Sequence, residues 1–402
     1  MTSPESPQHS SATGGTGAVT HLNAAGAGLM PESVVAAIKS HLDLEARRGA
    51  HWAAADARHA LEDTRILAAR LTGAAPTHLS FGEQASRLWA LAFASMPIQR
   101  GDRILIARND WGGNIVNAVR RAAASGAEIV RLPMTAQGRI DVEQAAGLVD
   151  ERTVAICASA VASSFGLRQP VEALGAIARP DRCLYFVDAA QAIGRFDVTL
   201  PGTSADVMVA PGRKWLRAGR GQAMMALSDR ALSRLAQPVI VDQSAGAWCA
   251  DDDFIPHEDA RRFEAWEFST AARLGLRAAL QELDRIGLAT VRAGIDDRLR
   301  RLAAILCDIR GVTVFEDANA EAAFLTFQHA ALPATNIVDE LAARGIAVAS
   351  VGLDYARWEL EARGLERIVR VAPHVDATEE GIVRLSGEVG RIAYAAAQGR
   401  GQ

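Results

Sequence analysis

Cysteine is scarce in this chain. The four present, Cys157, Cys183, Cys249 and Cys307, lie far apart with no CxxC pair, so neither a zinc site nor a disulfide framework is implied. Cys157 and Cys183 sit in apolar runs, where packing is the ordinary use of a thiol. No apolar stretch approaches the ~20 residues that span a bilayer. Nor is there an excess of positive charge: 43 Lys and Arg face 47 Asp and Glu, a formal net charge of −4. Nucleic acid and acidic membrane surfaces are therefore poor partners, and a small molecule is the better expectation. The opening MTSPESPQHSSATGGTG is too polar to bury itself and has no apolar core of a secretory signal, which predicts a flexible tail over residues 1–20 of a cytoplasmic protein. Its GlyThrGly at 15–17 has no preceding strand or following helix, so a dinucleotide site is not implied. No internal repeat is visible at a fixed period.

What is present is ordinary for a folded chain: 49% hydrophobic and 22% charged residues, with 34 glycines. At 402 residues the chain exceeds the ~250–300 at which one core stops growing, so two domains are expected. Apolar spacing predicts helices from Pro31 to about Gly49 and from Ala53 to Leu71, with Pro31 in a first turn. Short apolar runs follow at Thr77–Phe81, Arg103–Ala107, Glu128–Leu132, Val154–Ala158, Leu184–Val187, Val207–Ala210 and Gln222–Ala226. Alternating with helical segments, they predict an α/β fold with a mostly parallel sheet between helices. A helix over Thr270–Ile286 then leads to a smaller α+β region with strands at Val312–Phe315, Ala323–Phe327 and Val369–Ala372. The expected division is a large domain over 21–268, whose segment 21–50 packs on the small domain, and a linking helix with the small C-terminal domain over 269–402.

In open sheets of this kind ligands sit beyond the carboxyl ends of the strands. One strand ends in Asp188, and 26 residues on another ends in ProGlyArgLys with Lys214. A buried carboxylate can keep a pyridine nitrogen protonated, and a lysine of depressed pKa can form an imine. Each residue alone also has a plainer use, Asp188 as a helix cap and Lys214 as a solvated surface group. GluGlnAlaSerArg at 83–87, between a strand and an apolar helix, suits a phosphate at a helix start or an ordinary capped helix. Trp111 precedes GlyGlyAsn and offers a large flat face to a ring, or packs in the core.

LeuAsnAlaAlaGlyAlaGly from Leu22, ValAspAlaAlaGln from Val187, ArgLysTrpLeu from Arg213, ArgPheGluAla from Arg262 and ArgValAlaProHis from Arg370 occur in this order. In them the chain resembles the class V aminotransferase family, which includes cysteine desulfurases, selenocysteine lyase, isopenicillin epimerase and the ergothioneine C–S lyase. The likeness runs from Leu22 to the end of the small domain. It implies the aspartate aminotransferase-like fold, pyridoxal 5'-phosphate (PLP) as cofactor and an amino-acid substrate. It further implies that Lys214 carries PLP as a Schiff base and that Asp188 faces the pyridine nitrogen. Gln84, Ala85 and Ser86 would take the phosphate, with Arg213 as its cation where relatives often have His. Trp111 would stack on the ring, Gln191 and Ser163 would meet its phenolate oxygen, and Arg370 would clamp the substrate carboxylate through a planar guanidinium. Ser269 and Thr270 match the stretch that relatives contribute across a homodimer interface. Pro211 departs from the family, which has Ser there, so one phosphate hydroxyl is missing.

Desulfurases and selenocysteine lyases depend on a cysteine in a loop ahead of the carboxylate arginine. The segment Gly352–Arg367, expected to be that loop, has none. Elimination of sulfur from Cβ needs no such cysteine, and the segments around Ser163, Lys214 and Arg370 look most like the ergothioneine C–S lyase branch. The reading is therefore a PLP-dependent β-lyase acting on an S-substituted L-cysteine. The alternative is a decarboxylating oxidative deaminase of such conjugates, as in lincosamide biosynthesis, or another class V aminotransferase or epimerase.

Overall fold

The computed structural model describes residues 19–238, 242–250, 252–317 and 321–398; the expected tail lies almost wholly outside them. Fifteen strands occur among the described residues. They are β1 (Thr20–His21), β2 (Leu79–Gly82), β3 (Arg103–Ala107), β4 (Glu128–Leu132), β5 (Thr153–Ser159), β6 (Leu184–Asp188), β7 (Val207–Pro211) and β8 (Ala223–Leu227), followed by β9 (Gly246–Ala250), β10 (Asp253–Pro256), β11 (Val312–Val314), β12 (Leu325–His329), β13 (Ile346–Ala347), β14 (Ala349–Gly352) and β15 (Arg367–Val371).

Seven of them form the main sheet in the order β2-β8-β7-β6-β5-β3-β4. β8 runs antiparallel to both neighbours and the other pairings are parallel, as the alternating sequence pattern predicts. β5 and β6 are buried throughout. A strand covered on both faces must be apolar on both, which is why these segments read as continuous Val, Ile, Ala and Phe rather than as alternation. Leu105, Ile156 and Val187 pack into one buried cluster and Ile104, Cys157 and Phe186 into another. Each fully buried Leu, Ile, Val or Phe contributes about 1.5–3 kcal/mol.

The second sheet, β11-β12-β15-β14, is antiparallel throughout. β1 pairs in parallel with β13, and Ala24 N–H donates to Ala372 O across 2.9 Å, so the chain's first described residues join its last third. The helix Thr270–Ile286 has the bounds expected of it. Ser269 Oγ accepts from Ala272 N at 3.1 Å to start it, and Gly287 at φ 85° ends it. It packs on Glu32–Arg48, and a Cβ at Gly275 would come within 2.7 Å of Ile38, so glycine sets how closely the two helices approach.

Three expectations need correction. Pro31 stands at the cap of Glu32–Arg48 rather than inside its first turn. The second helical stretch is two helices, Ala50–Asp56 and Arg58–Thr72, joined through Ala57. The segment Gly352–Arg367, expected to be a loop, contains the helix Leu353–Ala362. Its apolar face is thin, Leu353, Ala356 and Leu360, and burial of Glu359 between Arg108 and Arg363 holds it. The Arg108 half of that support comes from a distant residue, so the local pattern under-reports it.

Candidate active site

All parallel strands of the main sheet end at one edge, and β8, running the other way, begins there. Asp188 is the last residue of β6 and Ser159 of β5; Lys214 follows β7; Trp111 follows β3; Gln84 follows β2; Gln222 precedes β8. Topology thus gathers residues from six separate segments around a cavity of about 430 Å³. Nine of the eleven residues singled out in the sequence line it: Gln84, Ala85, Ser86, Trp111, Ser163, Asp188, Gln191, Arg213 and Lys214. Arg370 lies just behind, its guanidinium donating to Ser163 O at 2.9 Å. Thr270 is buried at the start of its helix and is not on the lining.

Burial dominates the electrostatics. It lowers the Lys214 ammonium to a pKa of about 7, against the opposing pull of Asp188 and with help from Arg213 and Arg370. The same burial raises Asp188, whose charge is supported by Lys214, by Ala190 N–H at 2.9 Å and by Asn114 Nδ2 at 2.9 Å. Arg370 is pushed down to about 10, first by burial and then by Arg213.

Several side chains are tied before any ligand arrives. Gln191 donates to Ala25 O at 3.0 Å and accepts from Trp215 Nε1 at 2.9 Å, which fixes its amide. Trp111 donates from Nε1 to Ser86 Oγ at 3.1 Å and stacks on Tyr355, ring centres 5.9 Å apart and planes 25° from parallel. The two glycines after Trp111 have separate uses: a Cβ at Gly113 would strike the Trp111 indole at 2.6 Å, and one at Gly112 would meet Tyr355 O at 2.4 Å.

This donor set suits PLP. No side chain caps the helix Ala85–Ala94, so its first N–H groups remain available to an anion beside Ser86. Arg213 and Arg220 both line the cavity, and neither has a carboxylate partner among the described residues. Two uncompensated guanidiniums next to a free helix start match a phosphate, even with Pro211 offering no hydroxyl. Asp188, costly as a buried anion, is relieved by a cation such as a pyridinium. The buried Oγ of Ser163 has no hydrogen-bond partner and is open to a polar atom of a ligand.

Sequence reasoning missed Arg220, Ser159, Gln222 and, behind the lining, Asn114 and Asp110. Arg220 has a weak local signal, the ArgGly turn ahead of an apolar strand. The others become neighbours only through strand order. No cysteine lines the cavity. Burial pushes the Cys183 thiol up to about 12 and also raises Cys157 well above an ordinary thiol, while Cys249 and Cys307 are exposed elsewhere.

The model of the aminotransferase class-V family matches residues 20–385. The chain belongs to that family. It is a PLP-dependent enzyme, and PLP is its cofactor. A Mycobacterium tuberculosis protein named probable hercynylcysteine sulfoxide lyase is 27% identical over 365 residues, 90% of this chain and 87% of its own length. A cysteine desulfurase of Pectobacterium carotovorum is 27% identical over 391 residues, 93% of each chain. Among solved structures, the apo cysteine desulfurase of Thermococcus onnurineus superposes with a TM-score of 0.86 at 22% identity, covering 94% of this chain and 95% of that one. The cystine C–S lyase C-DES, in complex with its product cysteine persulfide, superposes with a TM-score of 0.82 at 20% identity, covering 93% and 97%. These likenesses show the class V fold, and no helix among the described residues is long and apolar enough to cross a membrane.

Proposed function

We propose that this class V enzyme is a β-lyase that breaks the C–S bond of an S-substituted L-cysteine, a thiol conjugate or its sulfoxide, releasing the thiol or sulfenate with pyruvate and ammonia. One observation carries the reading. The segment Gly352–Arg367 contains the helix Leu353–Ala362 and no cysteine, and none of the chain's four cysteines lines the cavity. A persulfide-forming desulfuration has no sulfur acceptor here, whereas elimination needs only a base at Cα and a departing sulfur. The M. tuberculosis relative, named for a cysteine sulfoxide, fits the same class.

In this reading Lys214 anchors PLP, which when bound supplies an electron sink at the substrate Cα. Asp188 faces the pyridine nitrogen and keeps its positive charge. The N–H groups of Ala85 and Ser86, the Ser86 hydroxyl and the guanidiniums of Arg213 and Arg220 hold the phosphate, with Gln84 at the mouth of that cradle. Trp111 covers one ring face, and Gln191 and Ser163 sit by the phenolate oxygen. Arg370 binds the substrate carboxylate bidentately and so orients the Cα–H bond toward Lys214. The substrate's amino group must take the place of Lys214 before the lysine can act as a base; with a pKa near 7, about half of the amine so freed is unprotonated at neutral pH. Its Nζ takes the Cα proton, the C–S electrons leave with sulfur, and a carbon–carbon double bond forms between Cα and Cβ. Addition of water to the released enamine gives pyruvate and ammonium. Thr270 of the partner subunit completes the phosphate site in a homodimer.

The test is a product assay on S-alkyl-L-cysteine and its sulfoxide. Stoichiometric pyruvate and ammonia, with thiol from the thioether, are expected. Carbon dioxide and an aldehyde that still holds the C–S bond would sink the lyase and establish a decarboxylating oxidative deaminase.

A further inference from the structure

Behind Asp188, away from the cavity, lies a second buried carboxyl group that no step above uses. Asp110 is 2% exposed and does not line the cavity. Its Oδ1 accepts from Trp111 N at 2.6 Å and lies 2.6 Å from Ser159 Oγ and 3.1 Å from Asn114 Nδ2. The same Asn114 nitrogen donates to Asp188 Oδ2 at 2.9 Å. One amide thus spends its two N–H groups on two carboxyl groups, and one of these is the pyridine partner. Asp188 has its other oxygen on Ala190 N–H, so its plane is set by Ala190 on one side and Asn114 on the other.

The orientation of Asn114 in turn depends on Asp110. Turned over, the amide would aim its oxygen at two carboxyl groups instead of its protons. Asp110 also holds the backbone of Trp111, so a single side chain ties both the residue read as covering the ring face and, through Asn114, the residue read as holding the ring nitrogen.

We propose that Asp110 is a positioning residue for the cofactor, a neutral carboxylic acid that locks Asn114 and so aims Asp188, and that it does this work without carrying charge. The inference rests on the reading of Asp188 as the pyridine partner. Neutrality follows from the surroundings. Oδ2 of Asp110 is buried with no partner, and among the described residues no cation contacts the group, so burial and the charge of nearby Asp188 both favour its protonated form. The titratable groups around it are Asp188 and Tyr185 from β6 and Cys157 from β5, none of them a cation; Lys214 acts on the Asp188 side. Burial first and Asp188 second raise Asp110 to about 7.

The experiment compares PLP binding to the apo forms of the wild type, Asp110→Asn, Asp110→Ala and, as a control, Asp188→Ala, with thermal melts to check folding. Loss of an orienting hydrogen bond predicts roughly tenfold weaker PLP for Asp110→Ala, and the isosteric but uncharged Asp110→Asn should return to within about threefold of wild type. Infrared difference spectra of apo wild type minus Asp110→Asn at pH 6 should show a protonated carboxyl band; Glu316, also buried and raised to about 7, is common to both and cancels. Two results would overturn the proposal: Asp110→Asn binding PLP as weakly as Asp110→Ala, which makes the charge necessary, or Asp110→Ala binding like wild type. If Asp188→Ala also binds like wild type, the reading of Asp188 fails with it; if only Asp188→Ala is impaired, the proposal alone fails.

Discussion

Lys214 is one of only two lysines in the chain, the other being the exposed Lys39. Borohydride reduction of the PLP-loaded protein should therefore place the pyridoxyl mass on the peptide carrying Lys214, with Lys39 unmodified; the reverse pattern would end the assignment. Lys214→Ala should lose turnover while folding normally. The apo-protein offers an independent check. Burial takes Lys214 from an ordinary 10.5 to about 7, so between those values the unfolded chain binds a proton that the folded chain does not. Apo stability therefore rises with pH through that window, and at pH 7 the buried lysine is a net cost. Lys214→Met should stabilise the apo-protein at pH 7 by on the order of 1–3 kcal/mol, with the gap closing toward pH 10. Chemical denaturation at the two pH values measures it.

The strands of the main sheet were legible to within about two residues because burial on both faces writes the central ones, β5 and β6, as nearly unbroken apolar runs, while the edge strand β4 is only partly buried. Asp188 stands where one such run stops and Lys214 three residues past another, but each alone also reads as a helix cap or a surface group, and the family motifs around them carried the assignment. The pair Asp110 and Asn114 was not legible. Its meaning comes from β3 lying next to β5 and β5 next to β6, an order that no local pattern carries. β13 and β14, two and four residues long, are too short to show alternation. The helix Leu353–Ala362 was misread because non-helical backbone at Ala356 interrupts its period and much of its hold is tertiary. Glu359, 1% exposed, pairs with Arg108 at 2.7 Å and with Arg363, and Arg131 lies 4.2 Å over Trp358. Tyr355 then meets Trp111, so this helix supports a wall of the cavity. Glu359→Ala should cost about 1–3 kcal/mol, the low end of a broken buried pair because both arginines retain some solvent, and should loosen PLP by releasing Tyr355 from Trp111. Urea titration gives the first quantity and a PLP titration the second. An unchanged stability would show that the helix is held by its apolar residues alone.

At the scale of the whole molecule, several large aromatic side chains stand exposed to water. Trp266 is 56% exposed, Trp52 66% and Phe268 40%. His51, next to Trp52 in sequence, places its ring 6.0 Å from Trp266. Phe268 immediately precedes Ser269 and Thr270, the stretch that the family resemblance assigns to a neighbouring active site. Exposed aromatics of this size mark an interface, and a second copy meeting the first about a twofold axis would cover the same residues on each chain. It would also bring Thr270, which in a single chain is buried yet absent from the cavity lining, toward the partner's phosphate cradle. The expected solution mass is twice the 42.6 kDa of one chain. Trp266→Glu, a charge placed in an apolar contact, should shift the protein to monomer in sedimentation and weaken PLP retention in the same samples, because the cradle loses its outer member. A wild type that sediments as a fully active monomer would remove the partner's Thr270 from the site and leave the phosphate to Ser86, Arg213 and Arg220 alone.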